Sequence, residues 1–128
     1  MARVTIAFLN QSRIPELEAL QSAIRSLGFK LTVDEAYAPM KSTGYLPCTL
    51  DGEDAGVTIR FEASTEITGQ DTAITLQWGG DPREQTSAAI IIAALAHSFG
   101  ATVLDQRRQI IGASVLLNHA KALFTALD

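Results

Sequence analysis

The chain has 128 residues, of which 47% are hydrophobic and 19% are charged, and its formal net charge is -4. A chain of this length and apolar content can bury a core of its own, which argues against an intrinsically disordered protein. Its single cysteine, Cys48, excludes an internal disulfide, and its scattered basic residues form no patch of the kind that nucleic-acid binders carry.

The sequence has no pattern typical of a membrane span or of a signal peptide. The longest uninterrupted apolar run, residues 88–96, is less than half of the roughly 20 residues that a transmembrane helix needs. The apolar run at the N-terminus is too short for a signal peptide. We therefore expect one domain over residues 1–128 that is soluble and cytoplasmic, with neither a membrane nor nucleic acid as its partner.

The first part of the chain shows a strand pattern, a helix pattern and a second strand pattern in turn. Apolar residues alternate with others over 4–8, which predicts a half-buried strand. They then recur every three or four positions over 14–27, which predicts an amphipathic helix that ends at Gly28. A short second strand is expected at 31–33.

The middle of the chain begins with a break in these patterns. Two prolines and a glycine within residues 35–47 predict a loop. Residues 51–56 predict a hairpin turn, because an Asp-Gly pair tolerates the positive φ that tight turns require. Alternation over 57–62 and again over 74–78 predicts two more half-buried strands, with the polar residues 62–72 connecting them.

The last part of the chain contains the clearest local signal. Asp81, a proline at the next position and Glu84 form a capping pattern, which predicts a helix over 82–99. The middle of this helix is apolar on all sides, so we expect it to be the central element of the core or to contribute to a subunit interface. A short hairpin over 103–111 and a last helix over 114–127 follow.

Each predicted strand of the alternating type has one polar face. Strands covered by helices on both faces would be apolar throughout. We therefore expect an α+β fold, with a largely antiparallel sheet of about five to seven strands and three helices mainly on one face.

The sequence shows no arrangement of residues typical of catalysis, of a cofactor site or of a metal site. His97 and His119 lie on different predicted helices, and neither has a second ligand at helical spacing. Cys48 follows a proline and precedes acidic residues, which disfavour a reactive thiolate. We therefore expect a binding protein rather than an enzyme, with no catalytic residue, no cofactor and no metal.

Two features indicate a partner-binding surface. Both tyrosines and a methionine lie in or beside the 35–47 loop, and these residue types are enriched in protein interfaces. Residues 34–71 hold eight acidic and two basic residues, a bias that can steer a basic partner. The alternatives are that the loop side chains pack into the core and that the acids only favour solubility. The residues predicted to contact a partner are Tyr37, Met40, Tyr45, Asp51, Glu53, Asp54, Arg60 and Glu62.

Two stretches of the chain resemble a known group of proteins. Residues 44–56 (Gly-Tyr-Leu-Pro-Cys-Thr-Leu-Asp-Gly-Glu-Asp-Ala-Gly) are similar to a segment of small bacterial proteins associated with polymorphic and type VI secretion toxins. In that segment a Leu-Pro strand and two glycines lead into a strand like that predicted at 57–62. Residues 75–81 (Thr-Leu-Gln-Trp-Gly-Gly-Asp), the alanine-rich helix after them and residues 101–105 are similar too. Together these stretches cover about half of the chain.

The resemblance implies an immunity protein. Such a protein binds a cognate toxin, usually covers its active site and needs no chemistry of its own. An acidic face would suit a toxin with a basic active-site cleft. Two alternatives stay open: a small-molecule-binding domain or small enzyme with a pocket near Trp78 and Tyr45, and a homodimeric scaffold that uses the apolar helix or an open sheet edge.

Overall fold

The computed structural model describes residues 3–127. Over these residues the chain forms eight strands, three α-helices and a short 3-10 turn at Gln11–Arg13. In chain order the elements are β1 (Val4–Leu9), α1 (Leu17–Ser26), β2 (Leu31–Val33), β3 (Thr43–Leu46), β4 (Cys48–Leu50), β5 (Glu53–Asp54), β6 (Val57–Ile67), β7 (Gln70–Gln77), α2 (Pro82–Phe99), β8 (Thr102–Val103) and α3 (Ala113–Thr125).

The strands form two antiparallel sheets. The main sheet has five strands in the order β3-β6-β7-β1-β8, and the small sheet has three in the order β2-β4-β5. The predicted α+β fold with a largely antiparallel sheet of about five strands is therefore confirmed. The division into two sheets was not predicted. It occurs at Pro47, which separates β3 from β4 and has no N–H to continue a ladder.

The predicted loop over 35–47 is wrong at its C-terminal end. Thr43–Leu46 is an edge strand that pairs with β6 and places Tyr45 opposite Thr58. Gly44 adopts a φ of +122° within this strand. The local glycine and proline signal is overridden by pairing with β6, a partner that lies more than ten residues away and that local sequence patterns do not show.

The predicted connection over 62–72 is also wrong. β6 continues to Ile67 and β7 begins at Gln70, so only two residues, including Gly69 at a φ of +82°, join them. The end of β6 is largely exposed on both faces and therefore shows no apolar alternation. The ladder is irregular between Ala63 and Ile67, which is typical of a β-bulge.

The signals in the last part of the chain are confirmed. The Asp81 side chain accepts a hydrogen bond from the N–H of Arg83 at 2.9 Å, and α2 ends at Gly100 with a left-handed φ of +76°. The predicted hairpin over 103–111 is closed by hydrogen bonds from Asp105 N–H to Gln109 O and from Ile111 N–H to Val103 O, both at 2.8 Å.

Helix α2 is the centre of the core. Its successive residues Ile90, Ile91 and Ile92 are all buried, so the helix is covered on every side within one chain. It contacts both other helices as well as strands of both sheets. The apolar middle of α2 is thus explained by the fold of the chain itself.

Among the described residues, none of the helices combines the length and the apolar character needed to cross a membrane.

Candidate protein-binding surface

The five-stranded sheet has one face toward the helices and one face away from them. Val57, Ile59, Ile74 and Leu76 point inward and belong to the same core cluster as α2. Because side chains alternate along a strand, the residues between them point to the other side. We call this side the open face.

The strand register places the open-face side chains in rows across the sheet. The first row is Tyr45, Thr58, Gln77 and Val4; the second is Thr43, Arg60, Thr75 and Ile6; the third is Glu62, Ala73 and Phe8. Three of the predicted partner-binding residues, Tyr45, Arg60 and Glu62, are therefore brought onto one continuous surface.

Tyr45 is the most exposed aromatic side chain of this surface, with 64% of its area accessible. It lies on the edge strand β3 above Gly56, where a Cβ would collide with the phenol ring. The absence of a side chain at position 56 thus lets the ring lie over the backbone. A large, exposed ring with a polar tip is the type of group that dominates many protein interfaces.

Arg60 and Glu62 form a charged pair in the middle of the open face. Arg60 Nε lies 2.8 Å from Glu62 Oε1, and each side chain is 54% exposed. An ion pair so exposed contributes only about 0–1 kcal/mol to folding, because water screens both charges. The two side chains are therefore free to exchange this contact for contacts with a partner at little cost to the fold.

Asp51, Glu53 and Asp54 lie elsewhere, on the β4–β5 hairpin of the small sheet. Asp51 and Gly52 both have positive φ, at 50° and 86°, as the predicted tight turn requires. All three acidic side chains are exposed. They form a separate acidic edge and are not part of the open face.

The acidic bias of residues 34–71 is weaker in the fold than in the sequence. Three of the eight acids pair with arginines, and two of those arginines lie outside the segment: Glu53 with Arg83 at 3.4 Å and Glu66 with Arg108 at 3.1 Å. Counting charges along the chain missed these partners because they come from α2 and from the hairpin over 103–111. The rows of the open face contain one base and one acid, Arg60 and Glu62, so this face is mixed in charge rather than acidic.

Tyr37 lies in the core and offers a partner almost no surface. Its ring is 5% exposed and packs near Phe61, with 6.1 Å between ring centroids. Its hydroxyl donates a hydrogen bond to Pro15 O at 2.8 Å. Burial, and to a lesser extent the Glu16 carboxylate, raises the pKa of Tyr37 well above its ordinary value. This side chain anchors the segment before β3, so we leave it out of the proposed interface.

Met40 lies in the turn that leads into β3, where its side chain is partly exposed and its φ is +65°. The register of the sheet does not extend to this turn. Met40 therefore remains a candidate at the margin of the surface rather than a member of its rows.

Several open-face residues were missed at the level of sequence. Thr58, Gln77 and Ile6 belong to the rows that contain Tyr45 and Arg60, but only the register shows this. Phe8 is buried at the third row although it lies outside the main core cluster. The alternation in β6 identified its outward positions. In β1 it did not, because the apolar set Val4, Ile6 and Phe8 lies on the open face while Ala7 and Leu9 face the core. The order of the strands could not be obtained from either pattern.

A shallow cleft of about 680 Å³ adjoins the first row. Tyr45 and Trp78, the residues named for the small-molecule alternative, both line it, together with Arg3, Gln77 and Glu84. One carboxylate oxygen of Glu84 accepts a hydrogen bond from Gly79 N–H at 2.8 Å and so fixes this side of the cleft. The cleft combines two aromatic rings with charges of both signs.

The groups that could perform chemistry are buried or dispersed. Cys48 is buried, and burial, followed by the nearby Asp34 carboxylate, raises the pKa of its thiol to about 12. His97 and His119 are exposed on different helices. Within residues 3–127 there is no group of three or more His, Cys, Asp or Glu side chains that could hold a metal ion.

Comparisons of the chain with protein-family models, with curated proteins and with solved structures found no match. The functional interpretation therefore depends on the surfaces described above.

Proposed function

We propose that this protein is an immunity protein that binds a cognate bacterial toxin through the open face and covers the active site of that toxin. The observation that carries the proposal is the row arrangement of Tyr45, Arg60 and Glu62, an exposed ring beside an exposed charged pair on the sheet face opposite the core cluster. Such a protein acts by binding alone and works in the cytoplasm, where its own cell would be exposed to the toxin.

The rigidity of the surface supports this proposal. Its three rows are held by the hydrogen-bonded ladders of four strands, β3, β6, β7 and β1, so little conformational entropy is lost when a partner binds. The fully buried side chains beneath it, among them Ile59 and Leu76, fix the positions of the strands. A preorganised sheet face of this kind suits tight inhibition better than a flexible loop does.

The acidic hairpin supports a partner with a basic cleft. Asp54 precedes Ala55 and Gly56, and Gly56 is the residue over which Tyr45 lies. Asp54, at the end of the acidic edge, is therefore two residues along the chain from the glycine over which Tyr45 lies. A toxin that places an aromatic-binding pocket against Tyr45 would bring its neighbouring basic groups to this edge, where opposite charges speed association.

The first test is to capture the partner. The tagged protein is purified from its native cells, washed at high salt, and the retained proteins are identified by mass spectrometry. We expect one stoichiometric partner, a toxic fragment of a larger secreted protein, whose activity the purified immunity protein inhibits. Retention of no protein from cells that express candidate toxins would contradict the proposal.

The second test places the interface. Tyr45→Ala, Arg60→Glu and the matched control Thr32→Ala, an exposed threonine on the small sheet, are compared in partner affinity. We expect both open-face changes to weaken binding and the control to bind as the unchanged protein does. Equal affinity of all three variants would exclude the open face as the interface.

A second candidate function is supported by the cleft that Tyr45 and Trp78 share. Two rings beside Arg3 and Glu84 could hold a planar polar molecule, since ligand sites combine apolar walls with a few polar groups. Native mass spectrometry of the freshly purified protein tests whether the cleft binds a small molecule. A retained small molecule that Tyr45→Ala releases would favour this function over toxin binding.

A further inference from the structure

A second cavity, of about 370 Å³, lies between α2, α3 and the hairpin over 103–111. Its floor includes Ile92, Val103 and Leu116, all of which are buried aliphatic side chains. Trp78 and Ala89 are among the side chains of its wall. Its volume is within the range of small-molecule pockets, and its floor favours an apolar body.

The polar groups of this cavity are concentrated at its rim. Asp105, Gln106 and His119 line the cavity and are exposed. Asp105 is held in place because its Oδ1 accepts hydrogen bonds from the N–H groups of Arg107 at 2.8 Å and of Gln109 at 3.0 Å. Within residues 3–127, its Oδ2 accepts no hydrogen bond. A fixed carboxylate at the mouth of an apolar cavity thus has one oxygen left for a ligand.

We propose that this cavity binds a small amphipathic amine, with its hydrocarbon part on the aliphatic floor and its ammonium group at Asp105. Burial of the hydrocarbon supplies most of the affinity, and the carboxylate selects the charge of the head group. A carboxylate ligand would meet the charge of Asp105 and be repelled, whereas a neutral alcohol would gain only the apolar contacts and an uncharged hydrogen bond. This site shares Val4 with the first row of the open face and Trp78 with the cleft beside it. Asp105 and the aliphatic floor lie outside the rows, so the proposal does not depend on toxin binding.

Trp78 supplies the readout, because it lines the cavity and is the only tryptophan of the chain. The full-length protein is titrated with octylamine, 1-octanol and octanoate at pH 7.5, and the Trp78 emission is recorded. We expect a saturable change with octylamine, an affinity for 1-octanol that is about two- to fivefold weaker, and the weakest binding for octanoate.

Two variants test the two halves of the site. Asp105→Asn keeps an oxygen for the hydrogen bonds that close the turn and removes the charge, so it should bind octylamine and 1-octanol equally well. Ala89→Phe fills the cavity and should abolish the response to all three probes, while Thr58→Ala on the open face serves as the matched control. Circular dichroism confirms that each variant is folded.

The absence of a saturable response to octylamine would overturn the proposal. If Asp105→Asn still bound octylamine more tightly than 1-octanol, the proposed role of Asp105 would be overturned. This test does not depend on whether Ala89→Phe folds. Loss of toxin binding in Tyr45→Ala leaves all of these results unchanged, so the two proposals can fail separately.

Discussion

The two tyrosines of this chain are eight positions apart in one predicted loop, and the fold gives them opposite surroundings. Tyr37 is buried against Phe61 and donates its hydroxyl hydrogen bond to Pro15, whereas Tyr45 lies exposed on an edge strand over Gly56. Judged by residue type alone, both tyrosines are predicted to contact a partner. Their difference shows that an aromatic side chain becomes available to a partner only where the sheet turns it away from the helices.

The largest effect expected from this comparison is on stability. Tyr37→Ala should lower the free energy of unfolding by about 3–5 kcal/mol, because it leaves a cavity in the core. Tyr45→Ala should change it by about 0.5 kcal/mol or less, as is usual for exposed positions. Urea denaturation of the two variants measures both values. Equal losses would show that the two rings are equally buried in solution.

The next effect concerns partner binding and reverses the order of the two positions. Tyr45→Ala should cost about 2 kcal/mol or more of binding free energy if Tyr45 is a hot spot of the interface. Tyr37→Phe keeps the core filled and should leave the affinity unchanged. Isothermal titration calorimetry with the captured toxin measures both. If Tyr37→Phe weakened binding and Tyr45→Ala did not, the interface would not be the open face.

The pH dependence of stability sharpens the description of Tyr37. Because its pKa is raised in the folded state, the unfolded chain loses this proton first, at about pH 10. The contribution of Tyr37 to stability is therefore complete below that pH and should decline above it, by at most about 1.4 kcal/mol per pH unit.

Denaturation at pH 9 and pH 11 tests this prediction, with Tyr37→Phe as the control that lacks the titrating group. The stability of the unchanged protein should fall relative to that of Tyr37→Phe between these two values. Parallel pH profiles of the two proteins would contradict the raised pKa.

The smallest effect is expected at the charged pair of the open face. Arg60→Ala should change the free energy of unfolding by about 0–1 kcal/mol, because Arg60 and Glu62 are both half exposed. The same change should alter the association rate with the toxin and the dependence of that rate on salt. Stopped-flow measurements at two salt concentrations test this. A stability loss of several kcal/mol would mean that the pair holds the sheet together.

Local signals in the sequence were sufficient for several elements. The cap at Asp81, the apolar middle of α2 and the Asp51-Gly52 turn are present as predicted. Each depends on interactions within a few residues: a side chain that accepts a hydrogen bond from a nearby N–H, or a φ that aspartate and glycine tolerate. Alternation likewise identified the first part of β6, because one of its faces is buried. It also located β1, but there the core-facing residues are Ala7 and Leu9 rather than the alternating set Val4, Ile6 and Phe8.

The candidate site depended on more distant interactions. The strand at Thr43–Leu46 exists because it pairs with β6, and the end of β6 is a strand although both of its faces are largely exposed. The charge of the surface also depended on distant interactions, because Arg83 and Arg108, which lie on other elements, pair with Glu53 and Glu66. Neither a strand order nor an ion pair across the fold leaves a periodic pattern in the chain.

The sequence by itself therefore determined the fold class, the central helix and the chemical types of the residues available to a partner. Only the tertiary structure decided that Tyr45, Arg60 and Glu62 share one face, that Tyr37 is buried and that the acidic hairpin lies apart. The physical reason is that helix caps, turns and amphipathic periods are set by neighbouring residues. A binding surface is set by the register of strands and by which of their faces the helices cover.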